Sequence, residues 1–103
     1  MRRGHRIAFA RVAAAALSHA EAIVTRWLPG GRREGAEWVV RNPRRGDGKP
    51  GSFKVNLRNG RWGDFATGDR GGDLVALASY LFDLDQAEAA ERVAEMVGVS
   101  AYE

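Results

Sequence analysis

The sequence predicts one α+β domain spanning residues 1–103, a small antiparallel sheet with a helical segment before it and two helices after it. Three observations lead there. Phe53, Val55 and Leu57 alternate with Lys54, Asn56 and Arg58 ahead of Asn59-Gly60, the dipeptide that most favours a two-residue hairpin turn. Apolar residues recur at helical spacing on both sides of that stretch. Gly68, Gly71 and Gly72 crowd the passage from the hairpin into the next helix, where unusual torsions or a close backbone approach call for glycine.

Taken in order, residues 7–28 read as helix, with Ile7, Ala10, Ala14 and Leu17 on one face and Ala20, Ile23, Val24 and Trp27 continuing it. Ser18 with Glu21 three residues on is a capping-box pattern, so a break or a new helix is expected there. Leu28-Pro29-Gly30-Gly31 ends the segment. Trp38, Val39 and Val40 favour a strand near 36–42, and residues 43–51, with no apolar side chain, read as a mobile surface loop.

A hairpin over 52–65 follows. With Asn59-Gly60 as its turn, Arg58 is expected opposite Arg61, Leu57 opposite Trp62, Val55 opposite Asp64 and Lys54 opposite Phe65. Phe53, Val55, Leu57 and Trp62 then face the core, and Lys54, Arg58, Arg61 and Phe65 face outward. Trp38 is likewise assigned to the core. Asp73 is placed to cap a helix with Leu74, Leu77, Ala78 and Leu81 inward. Asp85 and Glu88 form a capping box before a last helix with Ala90, Val93, Met96 and Val97 as its stripe, Glu88, Glu91, Arg92 and Glu95 outside and Gly98 as C-cap. Residues 1–6 are expected to be flexible.

Charge is unevenly spread. Residues 26–70 hold eleven basic and five acidic residues, whereas residues 71–103 hold one basic and seven acidic. A basic middle before an acidic end is the asymmetry of a chain with one face for a polyanion. Two facing arginines, Arg58 and Arg61, repel each other unless an anion lies between them. The chain has no cysteine, which rules out disulfides and thiolate metal ligation and points to a cytoplasmic location. Met1-Arg2-Arg3 and the Ala-rich run to Ala20 imitate a signal peptide, but Arg11 interrupts the run, so secretion is not expected. No stretch reads as a membrane span.

The residue types bear on several chemistries. His5 and His19 have no partners for a zinc site. Asp64, Asp69 and Asp73 around the glycine loop could hold a hard cation and serve a nucleotide-processing enzyme, although aspartates in such turns serve mainly as turn-formers and caps. Gly68 to Asp73, ahead of a helix, could offer N–H groups to a phosphate, which Asp69 and Asp73 would oppose. Nucleic-acid binding fits best: Arg41, Arg44, Arg45, Lys49, Lys54, Arg58 and Arg61 can neutralise phosphates, and Phe65 can stack an unpaired base.

The residues Asn42-Pro43-Arg44-Arg45, then Pro50-Gly51-Ser52-Phe53-Lys54-Val55, then Trp62-Gly63-Asp64-Phe65-Ala66-Thr67-Gly68, then Gly71-Gly72-Asp73-Leu74-Val75 together resemble the N-terminal zinc-binding domain of bacterial and phage DNA primases. The likeness is greater to a cysteine-free form at the front of primase–helicase proteins of phages and mobile elements. It spans about residues 20–98, with Asp85-Gln86-Ala87-Glu88-Ala89-Ala90 at the family's closing helix. Asn42, Arg45, Asp64 and Thr67 stand at the four ligand positions, so the resemblance implies no zinc; hydrogen bonds and ion pairs there, a buried Asp64 beside Arg45 among them, would replace it. It further implies a non-catalytic module, without cofactor, that binds single-stranded DNA template for a primase catalytic domain or helicase located elsewhere. The alternative expectation is an adaptor that docks a helicase or polymerase through its acidic last helix.

Overall fold

In the computed structural model, which describes residues 6–44 and 51–103, the stretches read as helix or strand take those forms, but the first helix turns a different face inward. Val12 and Ala16 are buried, whereas Ala10 and Ala14, expected on its apolar face, are exposed, and Ile7 precedes the helix in a bridge to Tyr102. The N-terminal segment forms α1 (Phe9–Leu17) and α2 (Ala20–Trp27). The break falls where the sequence placed it, but not through the expected cap. His19 occupies the N-cap position without a side-chain bond, and the Ser18 hydroxyl turns back to donate to the Ala15 carbonyl at 2.7 Å. Residue 6 is tied down, since the Glu103 N–H donates to the Arg6 carbonyl at 3.0 Å. Expectations for residues 1–5, and for Arg45, Lys49 and the loop around them, lie outside the described residues.

Five strands follow: β1 (Arg32–Glu34), β2 (Glu37–Val40), β3 (Phe53–Asn56), β4 (Trp62–Asp64) and β5 (Arg70–Gly71). They form one sheet in sequence order, every neighbouring pair antiparallel. The single strand expected near 36–42 is therefore half of a hairpin, with β1 as an exposed edge. The hairpin expected over 52–65 exists with a different register. Val55 pairs with Trp62 and Phe53 with Asp64, so the loop is four residues, Leu57 to Gly60, and Arg58 does not face Arg61. Asn56 causes the change. Its side-chain oxygen accepts from the Arg58 and Asn59 N–H groups at 2.8 and 3.1 Å, and its carbonyl accepts from Gly60 at 2.8 Å. A side chain that caps its own turn outcompetes the Asn59-Gly60 preference. Because the slip moves each partner by two residues, the faces survive: Phe53, Val55 and Trp62 are buried, and Leu57 is half-buried in the loop.

The helices α3 (Leu74–Phe82) and α4 (Gln86–Val97) complete the chain. Asp73 accepts from the Ala76 N–H and Asp85 from the Glu88 N–H, each at 2.8 Å, and Gly98 ends α4 with φ 78°. α4 buries Ala89, Ala90, Val93 and Ala94, small side chains that let helices approach closely. That turn of the helix leaves Met96, expected in the stripe, 39% exposed. The core joins α1–α4 to Trp38, Val40, Phe53, Val55 and Trp62 from one face of the sheet. Both tryptophans are anchored by their indole N–H, Trp38 to the Leu28 carbonyl and Trp62 to the Asp73 carbonyl, at 3.0 Å each. Among the described residues no helix is long and apolar enough to cross a membrane.

Candidate nucleic-acid interface

Strand alternation assigns the opposite face of the sheet. Register aligns Arg32, Val39, Lys54, Gly63 and Arg70 in one row across all five strands. The next row holds Glu34, Glu37 and Asn56, and the Asn56 N–H donates to the Arg61 carbonyl at 2.7 Å. This face is covered at β2, where Val39 is only 5% exposed and Gly51 lies against it. A groove of about 410 Å³ opens over Gly63, walled by Lys54, Asn56, Arg61, Phe65 and Arg70. A glycine in the central row, with no side chain to fill the space, is what makes the depression.

Phe65 stands at its edge with 77% of its surface exposed. The Phe65 N–H donates to the Ser52 carbonyl at 2.9 Å, which prolongs the β3–β4 pairing and fixes the backbone that carries the ring. Lys54 Nζ lies 5.3 Å from the ring centroid, a cation–π contact that leaves most of the ring accessible. An exposed phenylalanine beside a cation and a groove has the form of a stacking platform.

Lys54, Arg61 and Arg70 line the groove together with Glu37, Asp64 and Asp69. The carboxylates are engaged: Glu37 lies 4.0 Å from Lys54, Asp69 accepts from the Tyr80 hydroxyl, and Asp64 is only 2% exposed. Arg61 and Arg70 form no ion pair among the described residues, and neither do the exposed Arg41 after β2 and Arg58 in the β3–β4 loop. The available charge on this side is therefore cationic.

The predicted residues are thus divided. Lys54, Arg61 and Phe65 come together at the groove, and Arg41 and Arg58 stand near its strands without lining it. Arg44 is drawn elsewhere, its guanidinium 5.5 Å from the Tyr80 ring centroid. Arg45 and Lys49 lie outside the described residues. Arg70 and Gly63 were missed. Arg70 sits in a strand of two residues, and its one signal was Gly68, whose φ of 86° closes the turn from Asp64.

Of the four positions expected to replace a metal site, Asn42 and Asp64 are linked by a hydrogen bond, and Arg45, expected beside Asp64, lies outside the described residues. Asn42 is fully buried, and its amide donates to Asp64 Oδ2 at 2.8 Å and to the Tyr80 hydroxyl oxygen at 2.9 Å. Its oxygen accepts from the Arg44 N–H at 2.8 Å. Asp64 Oδ1 accepts from the Ala66 N–H at 2.8 Å, and Tyr80 donates to Asp69 Oδ2 at 2.8 Å. Thr67 is exposed and serves the turn, its hydroxyl accepting from the Asp69 N–H at 3.2 Å. Burial raises the Tyr80 hydroxyl pKa above its ordinary value; the Asn42 bond opposes this, and the Asp69 and Asp64 carboxylates reinforce it. Asp64, Asp69 and Asp73 thus hold separate structural partners, and among the described residues no three His, Asp or Glu side chains gather where they could hold a metal ion.

No protein-family profile matches the chain, and no curated protein matches it.

Proposed function

We propose that the domain binds single-stranded DNA across the open face of its sheet, as a template-holding module for primer synthesis in the replication of a phage or mobile element. The observation that carries this reading is the groove over Gly63, with an exposed Phe65 at one edge and Arg61 and Arg70 beside it. Phosphates would follow Arg41, Arg58, Arg61 and Arg70, and one unpaired base would lie on the free face of Phe65. A duplex hides its base faces, so an exposed ring favours a single strand. In this reading, which the resemblance to primase zinc-binding domains supports, the module is non-catalytic and works in the cytoplasm. Nucleotide joining belongs to a separate catalytic domain.

Fluorescence anisotropy with a labelled single strand, titrated across salt beside a duplex of equal length, tests it. Each phosphate contact contributes a slope of about −0.7 to log K against log salt on single strands, so Arg61→Ala with Arg70→Ala should reduce the slope by about 1.4. Phe65→Ala should cost about 1–3 kcal/mol with little change in slope. Equal affinity for the duplex, or a slope untouched by the double variant, would overturn the reading.

A further inference from the structure

The groove over Gly63 is bounded in both directions of the sheet. Towards β2 it stops short of Val39, which belongs to the same face but is buried, with Gly51 against it. Arg32, beyond Val39 in the same row, therefore lies outside it. On the other side it ends at Arg70 and the turn that carries Gly68 and Asp69. Along β4 it runs from Phe65 to Arg61, about 13 Å of strand. Its volume of about 410 Å³ lies near the low end of the about 300–1,000 Å³ that small-molecule pockets occupy. A depression of that size takes one nucleotide and not a track of them.

Its walls offer the two contacts that one nucleotide needs. Phe65 presents an exposed ring for a base at one end. At the other, Asn59 Oδ1 accepts from the Arg61 N–H at 2.9 Å, which holds the backbone that carries Arg61. Arg70 stands beside them, opposite Gly63 in the sheet. Neither arginine has an ion pair among the described residues. The carboxylates of the lining face other partners: Glu37 lies 4.0 Å from Lys54, Asp69 accepts from the Tyr80 hydroxyl, and Asp64 is buried against Asn42 and the Ala66 N–H. Two unpaired guanidiniums match the double charge of a phosphate monoester better than the single charge of a diester.

We infer that the groove is a one-nucleotide site that also takes a free nucleoside 5′-phosphate, base on Phe65 and phosphate between Arg61 and Arg70, which rests on the single-strand reading of this face and narrows it. A strand would be gripped at one nucleotide, its neighbours reaching only Arg41 and Arg58 at the margins. Gly63 is the residue on which this turns. A Cβ there would lie 3.4 Å from the Asp69 carbonyl oxygen and 3.5 Å from the Arg70 Cβ, ordinary contacts. A larger side chain at this position therefore suits the sheet and fills the depression.

Calorimetry on the full chain with thymidine 5′-monophosphate, beside thymidine and inorganic phosphate as separate probes, tests it. The nucleotide should bind with a Kd of about 1 mM, and each of the other two at least about tenfold more weakly, since each keeps one contact of the two. Gly63→Val, which introduces a strand-favouring residue, should abolish binding while the melting temperature does not fall. Arg70→Ala should weaken it at least about tenfold, and Arg32→Ala should leave it unchanged. Thymidine oligomers should gain little affinity beyond about four nucleotides, the low end for single-strand grooves. Affinity that climbs with every added nucleotide, drops in Arg32→Ala and survives Gly63→Val would replace the one-nucleotide site with a track and leave strand binding standing. Inorganic phosphate bound as tightly as the nucleotide would reduce the groove to an anion site and overturn the inference. Failure of the nucleotide and of every oligomer to bind would sink both the inference and the strand reading.

Discussion

Asp64→Ala is the perturbation that bears most directly on how this fold holds its loops to its sheet. The carboxylate accepts from the Asn42 amide and from the Ala66 N–H, both at 2.8 Å, in a setting 2% exposed. Hydrogen bonds to a charged group contribute about 1.5–3 kcal/mol each. Taking the lower end for both gives about 3 kcal/mol, and it leaves Asn42, itself fully buried, with one amide proton unsatisfied. For a domain near 100 residues, 1 kcal/mol shifts the melting temperature by about 4–8 °C, so the expected fall is about 12–24 °C. Asp64→Asn keeps the shape and one acceptor and should lose about half as much. Calorimetry on the three proteins provides the comparison. A fall of less than about 4 °C for Asp64→Ala, or an Asn variant as damaged as the Ala variant, would refute the assignment of this carboxylate as the buried link between the segment after β2 and the β4–β5 turn.

Two further outcomes follow from the same region. A Cβ at Gly71 would lie 2.4 Å from the Trp62 ring, so Gly71→Ala should cost about 1–3 kcal/mol in urea titration, whereas Gly72→Ala, with nothing within 4 Å, should be neutral; equal effects would dismiss the packing argument. The raised Tyr80 pKa means its proton is held more tightly folded than unfolded, so its stabilisation is complete below the ordinary value of 10.0 and is lost as pH climbs through the higher folded value. Stability should therefore fall as pH rises from 10.0 towards the folded value, and fall less steeply in Tyr80→Phe. Tyr102, also raised, first by its hydrogen bond to Glu91, makes Tyr102→Phe the background measurement, and an unchanged slope in Tyr80→Phe would discard the assignment.

What was legible in the sequence is what a period can encode. Phe53, Val55, Trp62, with Leu74, Leu77 and Ala78 of α3 and Ala90 and Val93 of α4, are buried because alternation and helical spacing assign faces independently of partners. Asp73 and Asp85 were readable as caps because a cap acts within three residues. The hairpin register was not, since it turned on whether Asn56 or Asn59 would organise the turn, a competition between two local bonds of similar strength. β1 and β5 were missed for a different reason: three exposed residues and a pair have no apolar pattern to detect. Tyr80 was invisible as a polar partner because its hydroxyl meets Asn42 and Asp69 only once α3 packs on the sheet.

The same packing determines which residues the open face of the sheet presents. Trp62, Phe53 and Tyr80 form a cluster on the core side, with ring centroids 4.9–6.1 Å apart. Trp62 spreads over Gly71, its partner in the sheet, which brings β5 close and sets Arg70 across from Gly63. A slip of one residue in β4 would bury Gly63 and turn Trp62 into solvent, so the aromatic cluster excludes it. Gly63 and Phe65 therefore owe their position on the open face to side chains that never reach it, and substitutions in the cluster should disturb single-strand binding through register. Phe53→Leu, which keeps an apolar core but removes two ring contacts, separates the two effects. If strand binding weakens while Arg61 and Arg70 are intact and the protein remains folded, the face is positioned from behind. Unchanged binding would show that the loop bonds of Asp64 suffice to hold it.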